Sequence, residues 1–537
     1  MGRSPLRGAS GQDWSLGLAT FASYRGAAAA SFQRADPAGF QSPDLGGGTV
    51  GPSLVASPRM FRDLSYCAKW RRDAVQISVE CREPSRLWEA RLKETQSVTT
   101  SAGETAAAVP ELGKSFWLAV LASGVLVGGL SVAFHAALTV ALQQREQLTA
   151  WAKPLGLQGA TLLIAVCATV VALAVWMTGR FAPQAAGSGI QHIDGVERGK
   201  LPLWPFSVVW VKFVGGVLGI GGGLVLGREG PTVQMGASLA HQLGVSCRLS
   251  AVARRTLLVI GAGAGLAGAF NAPLAGTLLV LEEFKCELRP AIYLGTLLAS
   301  VVTDQCVRQW FGPVAELPLH GALPAPLATL APVCVVGILS GVFAACFNGA
   351  LLRTFTLADR CRRAVPAWVL GAGVGAVLGA VAWFIPALPG GGVLFATKVL
   401  DGRIGPAAAL WLLPLTFVLT VGSYVVGAPG GIFAPLLVLG ALLGLVVHGG
   451  CVALIPAWAV SMPTLAAAGM AGLFAGIVRA PLTGAVLLIE MTGAYALVLP
   501  LVVASLVAYA IAAALGSKPI YESLLEREIA RRARAGY

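Results

Sequence analysis

The chain has 537 residues, of which 56% are hydrophobic and 12% charged, with 67 glycines and a formal net charge of +13. Soluble domains carry about 25% charged residues, so this composition and a mean hydropathy of +0.73 exclude a soluble globular protein and place the chain in a bilayer. Nor does the charge signal nucleic acid. The basic residues gather at the ends and in connections, as Lys69, Arg71 and Arg72, Arg360, Arg362 and Arg363, and Arg531, Arg532 and Arg534. By the positive-inside rule this predicts that both termini and the loop near Arg360 are cytoplasmic.

Residues 1 to about 110 are polar, rich in Gly, Ser, Ala and Arg, and lack an apolar run. They read as a flexible cytoplasmic tail, or as a stretch upstream of a later translation start such as Met60. From 111 onward, apolar runs able to cross about 30 Å of hydrocarbon recur. They include Phe116 to Leu142, Leu162 to Trp176, Phe206 to Leu226, Leu327 to Leu352, Trp368 to Leu388 and Leu497 to Leu515. Glycine is spread through these runs, where it permits close helix packing and lets backbone stop and restart at membrane depth. Broken helices are therefore predicted, notably at Gly227 to Pro231 and Gly427 to Pro435. The ten cysteines lack CxxC spacing and the five histidines are scattered. They read as core residues rather than as a metal or haem site.

The chain repeats itself. Gly227-Arg-Glu-Gly-Pro231 followed by Gly236-Ala237 matches Gly431-Ile-Phe-Ala-Pro435 followed by Gly440-Ala441. Downstream, Ala272-Pro-Leu-Ala-Gly276 leads to Glu282, and Ala480-Pro-Leu-Thr-Gly484 leads to Glu490. The order and spacing imply a duplication, with repeat one at about 111–315, repeat two at about 322–515 and a C-terminal helix at about 518–537. In transporters built from repeats, the substrate site lies at their shared interface.

Glycines allow sharp turns and Pro is tolerated in a first helical turn, so Gly227 to Pro231 and Gly431 to Pro435 each predict a helix start. Gly187-Ser-Gly-Ile190 offers a third, with the Ser188 hydroxyl as a further donor. A helix amino end carries free N–H groups and the positive end of the dipole, which suits an anion. Three such starts can hold a dehydrated anion weakly enough for release, as transport requires. The alternative is that they are packing turns. Glu229, an acid in an apolar stretch, is a functional candidate by position. Its carboxylate can imitate the anion, occupy its place and leave on protonation, or it can be neutralised structurally by Arg228. Lys212 lies inside a span and needs a buried carboxylate or carbonyl partners. Glu282 and Glu283 end an apolar helix, where a solvated helix end is the plain reading.

These residues resemble the CLC family of chloride channels and chloride/proton antiporters. The likeness covers about 111 to 537 and rests on Gly187-Ser-Gly-Ile190, Gly227-Arg-Glu-Gly-Pro231, Asn271 to Gly276 with Glu282-Glu283, Gly431 to Pro435, and Lys518-Pro-Ile-Tyr521. It implies an all-α integral membrane fold of two inverted repeats with tilted, partly spanning helices, and a homodimer in a cell (inner) membrane with one pore per subunit. By the same resemblance, Ser188 and Tyr521 contact chloride through their hydroxyls, and Ile432 and Phe433 through backbone N–H groups. Glu229 is then the external gate and Glu283 the internal proton-transfer residue, with Gly187, Gly189, Arg228, Gly230 and Lys212 in support. Channel-type members carry an apolar residue at the position of Glu283, which favours an antiporter.

One departure is Gln191, where the family pattern has proline, so the helix start after Ser188 is less predictable. Ser188 favours chloride over nitrate, since nitrate-preferring relatives tend to have proline there. Gly227 to Pro231 with Tyr521 argues against the fluoride-exporting branch. With the sequence ending soon after Tyr521, paired cytoplasmic nucleotide-binding (CBS) modules are not expected. The leading expectation is chloride/proton exchange with no cofactor beyond the transported ions, and the alternative is a passive chloride channel on the same scaffold. No nucleophile, base and oriented partner suggest an enzyme.

Overall fold

The computed structural model describes residues 113–284, 289–313, 315–319, 330–390, 392–455, 458 and 460–534. The tail expected over residues 1 to 110 lies outside them. Helices dominate because the backbone in a bilayer has to satisfy its hydrogen bonds internally. In the first half these are α1 Lys114–Ala152, α2 Leu157–Phe181, α3 Ile190–Glu197, α4 Ser207–Gly221, α5 Glu229–Ser246, α6 Ala251–Phe270, α7 Pro273–Glu282 and α8 Pro290–Phe311. In the second half they are α9 Leu330–Cys361, α10 Ala367–Phe384, α11 Val393–Leu400, α12 Pro406–Val425, α13 Phe433–Leu454, α14 Met462–Val478, α15 Pro481–Thr492 and α16 Val498–Ala514, followed by α17 Ile520–Arg534.

Among the described residues, nine helical segments are long and apolar enough to span, while α4, α7, α14 and α15 are shorter apolar helices. The predicted broken architecture is therefore present. Outward-facing Leu118, Leu157, Phe384 and Leu454 are exposed, as a lipid-facing surface requires.

The duplication extends to local conformation. Ser250 caps α6 by accepting from the Ala253 N–H at 3.2 Å, and Ser461 caps α14 from Thr464 at 3.4 Å. Such side-chain caps satisfy otherwise orphaned N–H groups. At the other ends of these two helices, Asn271 and Arg479 take the left-handed conformation, with φ of 54° and 73°. Pro273 and Pro481 then open α7 and α15 at a position where a missing N–H costs nothing.

Packing repeats as well. In the first half α5 packs on α6 and α8 on α1, and in the second α13 packs on α14 and α16 on α9. By contrast α2 packs on its own counterpart α10, and α7 on its counterpart α15. Self-pairing of matched elements is what a two-fold relation between the halves produces. This is the two-repeat fold that the sequence motifs led us to expect.

Glycine sets the tightest of these contacts. A Cβ on Gly236 would collide with the Gly261 carbonyl, and the reverse holds for Gly261. Gly440 and Gly469 stand in the same relation between α13 and α14. Here small residues bring backbones together where lipid supplies no hydrophobic drive. Gly440→Leu is therefore expected to cost about 3 kcal/mol or more by overpacking, seen as a lowered melting temperature of the detergent-purified protein. An unchanged melting temperature would show that the contact can relax.

α7 and α15 also exchange caps. Glu282, at the end of α7, accepts from the N–H groups of Leu482 at 3.1 Å and Thr483 at 2.7 Å, and from the Thr483 hydroxyl at 2.7 Å. Glu490, near the end of α15, accepts from Leu274 at 3.0 Å and Ala275 at 2.8 Å. The plain reading of Glu282 as a solvated helix end is thus corrected. Each glutamate occupies the positive end of the helix that starts beside it in the other repeat.

Candidate functional site

The motifs of the two halves meet. Gly227 and Gly431 exchange backbone hydrogen bonds in both directions at 2.8 Å, a two-residue antiparallel bridge. Nearby, Gly187 donates to Ala428 at 3.1 Å and accepts from Gly430 at 3.2 Å. These exposed backbone edges are paired before three helices start: α3 after Gly189, α5 at Glu229 and α13 at Phe433. A Cβ on Gly230 would lie 2.7 Å from the Ser188 Cα and 2.9 Å from the Gly431 Cα, so Gly230 is where the three starts touch. Gly187 and Gly189 have φ of 66° and 84°, which glycine adopts without strain. The α3 start forms despite Gln191 standing where the family pattern has proline.

Ser188, Glu229, Ile432, Phe433 and Tyr521 are all buried here. Ile432 is the N-cap of α13, and its first-turn N–H groups have no intrahelical acceptor. The ring of Phe433 packs on Phe474 at 4.6 Å and on Tyr521 at 6.0 Å between centroids. Tyr521 belongs to α17, so a helix outside the two repeats completes the cluster. Its hydroxyl is buried on the Ser188 side of the cluster and makes no hydrogen bond of full geometry, its nearest candidate partner being the Ser188 side chain. A buried donor left unpaired is costly, and an acceptor arriving from outside would satisfy it.

Glu229 is fully buried, with its carboxylate folded over Gly227 and Gly431. Oε1 accepts from the Ala434 N–H at 3.3 Å, within the first turn of α13, and Oε2 has no partner. The carboxylate thus sits where that helix end would hold an anion. Arg228 is directed elsewhere. Its Nε donates to the Ala269 carbonyl at 2.9 Å and its guanidinium pairs with Glu316 at 2.6 Å. Arg228 therefore makes its ion pair with Glu316 and not with Glu229. Glu316 lies in the connection between the halves, anchored to α15 by Leu317 donating to Met491 at 2.8 Å.

Lys212 finds the carbonyl partners its position demanded. Fully buried, its Nζ donates to Gly187 O at 2.7 Å and Ser188 O at 2.8 Å, fixing the loop from its carbonyl side. Lys212→Met removes both bonds, and while the Gly187 carbonyl keeps the Gly430 N–H, the Ser188 carbonyl loses its Lys212 donor at about 1–3 kcal/mol. The expected result is lower thermal stability together with weaker anion binding. Anion binding at wild-type strength would mean that the loop holds its shape unaided.

Glu283 lies at the end of α7 opposite Pro273. It is the C-cap of α7 and only 8% exposed, so it too is not a solvated helix end. Two contacts at Ser188 escaped the sequence reading. The Tyr424 hydroxyl donates to Ser188 Oγ at 3.3 Å, and Ser188 Oγ donates to Gln191 Oε1 at 3.0 Å. A tyrosine within an apolar run, whose hydroxyl needs a partner, was the available signal. Beside the loop lies a cavity of about 280 Å³ lined by Gly187, Gln191, Tyr424, Arg362, Arg527 and Arg531, among others.

A family described as voltage gated chloride channel matches residues 170–513. The chain belongs to the CLC family. It is 37% identical over 417 residues to a protein of Klebsiella pneumoniae named H(+)/Cl(-) exchange transporter ClcA, covering 76% of this chain and 88% of that one. A Salmonella typhi protein of the same name is 39% identical over 361 residues, covering 66% of this chain and 76% of its own length. Among solved structures, a slow cyanobacterial Cl-/H+ antiporter superposes with a TM-score of 0.75 at 35% identity, covering 79% of this chain and all of that one. A eukaryotic CLC transporter, with a TM-score of 0.65 at 22% identity, shares the fold over 78% of this chain and 75% of its own. As a CLC protein with nine apolar spanning helices among the described residues, the chain is a multi-pass integral membrane protein.

Proposed function

We propose that this CLC protein exchanges chloride for protons. The observation that carries the reading is the Glu229 carboxylate, buried and bonded to the first turn of α13 in the place an anion would take. Its relatives named as H(+)/Cl(-) exchange transporters support the reading at 37–39% identity. Chloride displaces Glu229 and is held by the hydroxyls of Ser188 and Tyr521 and by the N–H groups of Ile432 and Phe433. No full cation in this set contacts the ion, so binding stays weak enough for release. The displaced Glu229 takes a proton from the outer side and, on returning, gives it up toward Glu283, which passes it to the inner side.

The cavity beside Ser188, lined by Arg362, Arg527 and Arg531 together with Glu528, serves as the cytoplasmic mouth, where the surplus of arginine over acid favours an entering anion. This orientation follows the basic residues at the ends of α9 and α17 and puts both termini in the cytoplasm. A homodimer in the cell membrane completes the proposal, in line with the family resemblance. The test is the reversal potential of reconstituted protein under crossed chloride and proton gradients. Exchange puts it between the two ionic equilibrium potentials, and a passive channel puts it at the chloride value.

A further inference from the structure

The hydroxyl that the proposed function assigns to chloride is already engaged. Ser188 Oγ has one proton to give, and in this structure it goes to Gln191 Oε1 at 3.0 Å. The same oxygen accepts from the Tyr424 hydroxyl at 3.3 Å, while the Ser188 N–H lies 3.4 Å from that phenol oxygen. All three side chains are buried, and Gln191 and Tyr424 both line the cavity that reaches the Ser188 loop. A proline at 191, as in the family pattern, would have no side-chain acceptor, so this competition depends on Gln191.

We propose that Gln191 and Tyr424 set chloride affinity in this protein by acting in opposite directions on Ser188. The proposal rests on Ser188 as a chloride contact, as argued above. With the site empty, Gln191 holds the serine proton. An arriving anion has to draw that proton away, leaving the Gln191 carbonyl to water in the cavity, so Gln191 weakens binding by part of a hydrogen bond. Tyr424 works the other way. By donating to Ser188 Oγ it polarises the serine O–H and strengthens it as a donor, as successive hydrogen bonds do in a low dielectric. Both are positioning residues: they act through Ser188 rather than on the ion.

The test is equilibrium chloride binding by titration calorimetry on the purified full-length chain. Gln191→Leu and Gln191→Met both lack the acceptor and are expected to bind chloride about five-fold more tightly, the size of one net hydrogen bond. Tyr424→Phe is expected to bind about five-fold more weakly. Both shifts should vanish in a Ser188→Ala background, where Tyr521 and the α13 N–H groups still bind the ion. A purely structural role for either residue would weaken binding in every variant and persist without the serine. Unchanged or weaker binding in both Gln191 variants overturns the proposal, as does a shift that survives Ser188→Ala. Wild-type protein that binds no chloride overturns the anion-site reading itself, which separates the two failures.

Discussion

Glu229→Gln is expected to abolish proton transport while chloride still crosses. The glutamine side chain keeps the size of the acid and can still reach the first turn of α13, so the packing around Gly227 and Gly431 is retained. What it loses is the exchangeable proton and the negative charge that competes with chloride for that helix end. Proton flux should fall by at least about a hundred-fold, the scale on which a positioned acid or base contributes, with chloride flux continuing as an uncoupled leak. Parallel chloride-electrode and pH-electrode recordings on one liposome preparation read both fluxes. Proton flux near the wild-type level would remove Glu229 from the proton path.

Glu283→Gln tests the other end of that path. Glu283 is buried at the C-cap of α7, and glutamine keeps the size of the acid there. The amide cannot relay a proton. Proton flux is therefore expected to drop as far as in Glu229→Gln, with chloride affinity within about two-fold of wild type, a difference of less than 1 kcal/mol. The pair of variants separates roles: Glu229→Gln alters both ions, Glu283→Gln only one. Equal loss of chloride binding in Glu283→Gln would mean that it supports the fold of the site instead. Glu282 is a natural control, because it caps α15 and its loss should lower stability with coupling preserved.

Much of this site was legible in the sequence because helix starts are local. Gly227 to Pro231 and Gly431 to Pro435 carry the backbone instructions for a turn and a first helical residue within five positions, and their repetition exposed the duplication. The short apolar lengths of α7 and α15 follow from Pro273 and Pro481 in the same way. The missing parts are contacts between distant residues. Glu282 meets Leu482 and Thr483 two hundred positions away, and no periodicity encodes that meeting. Arg228 sits beside Glu229 in the chain, yet its partner is Glu316 in the connection between the repeats. Sequence adjacency left an Arg228–Glu229 pair open as an alternative, and the partner of Arg228 across the chain is what closes it. Tyr424 read as one aromatic in an apolar span, and its hydroxyl gained meaning only when α12 placed it against Ser188.

The most direct test of chloride/proton exchange is uphill proton movement by wild-type protein in sealed liposomes. With high chloride inside, low chloride outside and equal pH on both sides, chloride leaving down its gradient should drive protons inward. The external medium should become alkaline until a proton ionophore collapses the difference. Chloride efflux with no change in external pH under the same gradient would contradict exchange and leave a passive chloride pathway on this fold.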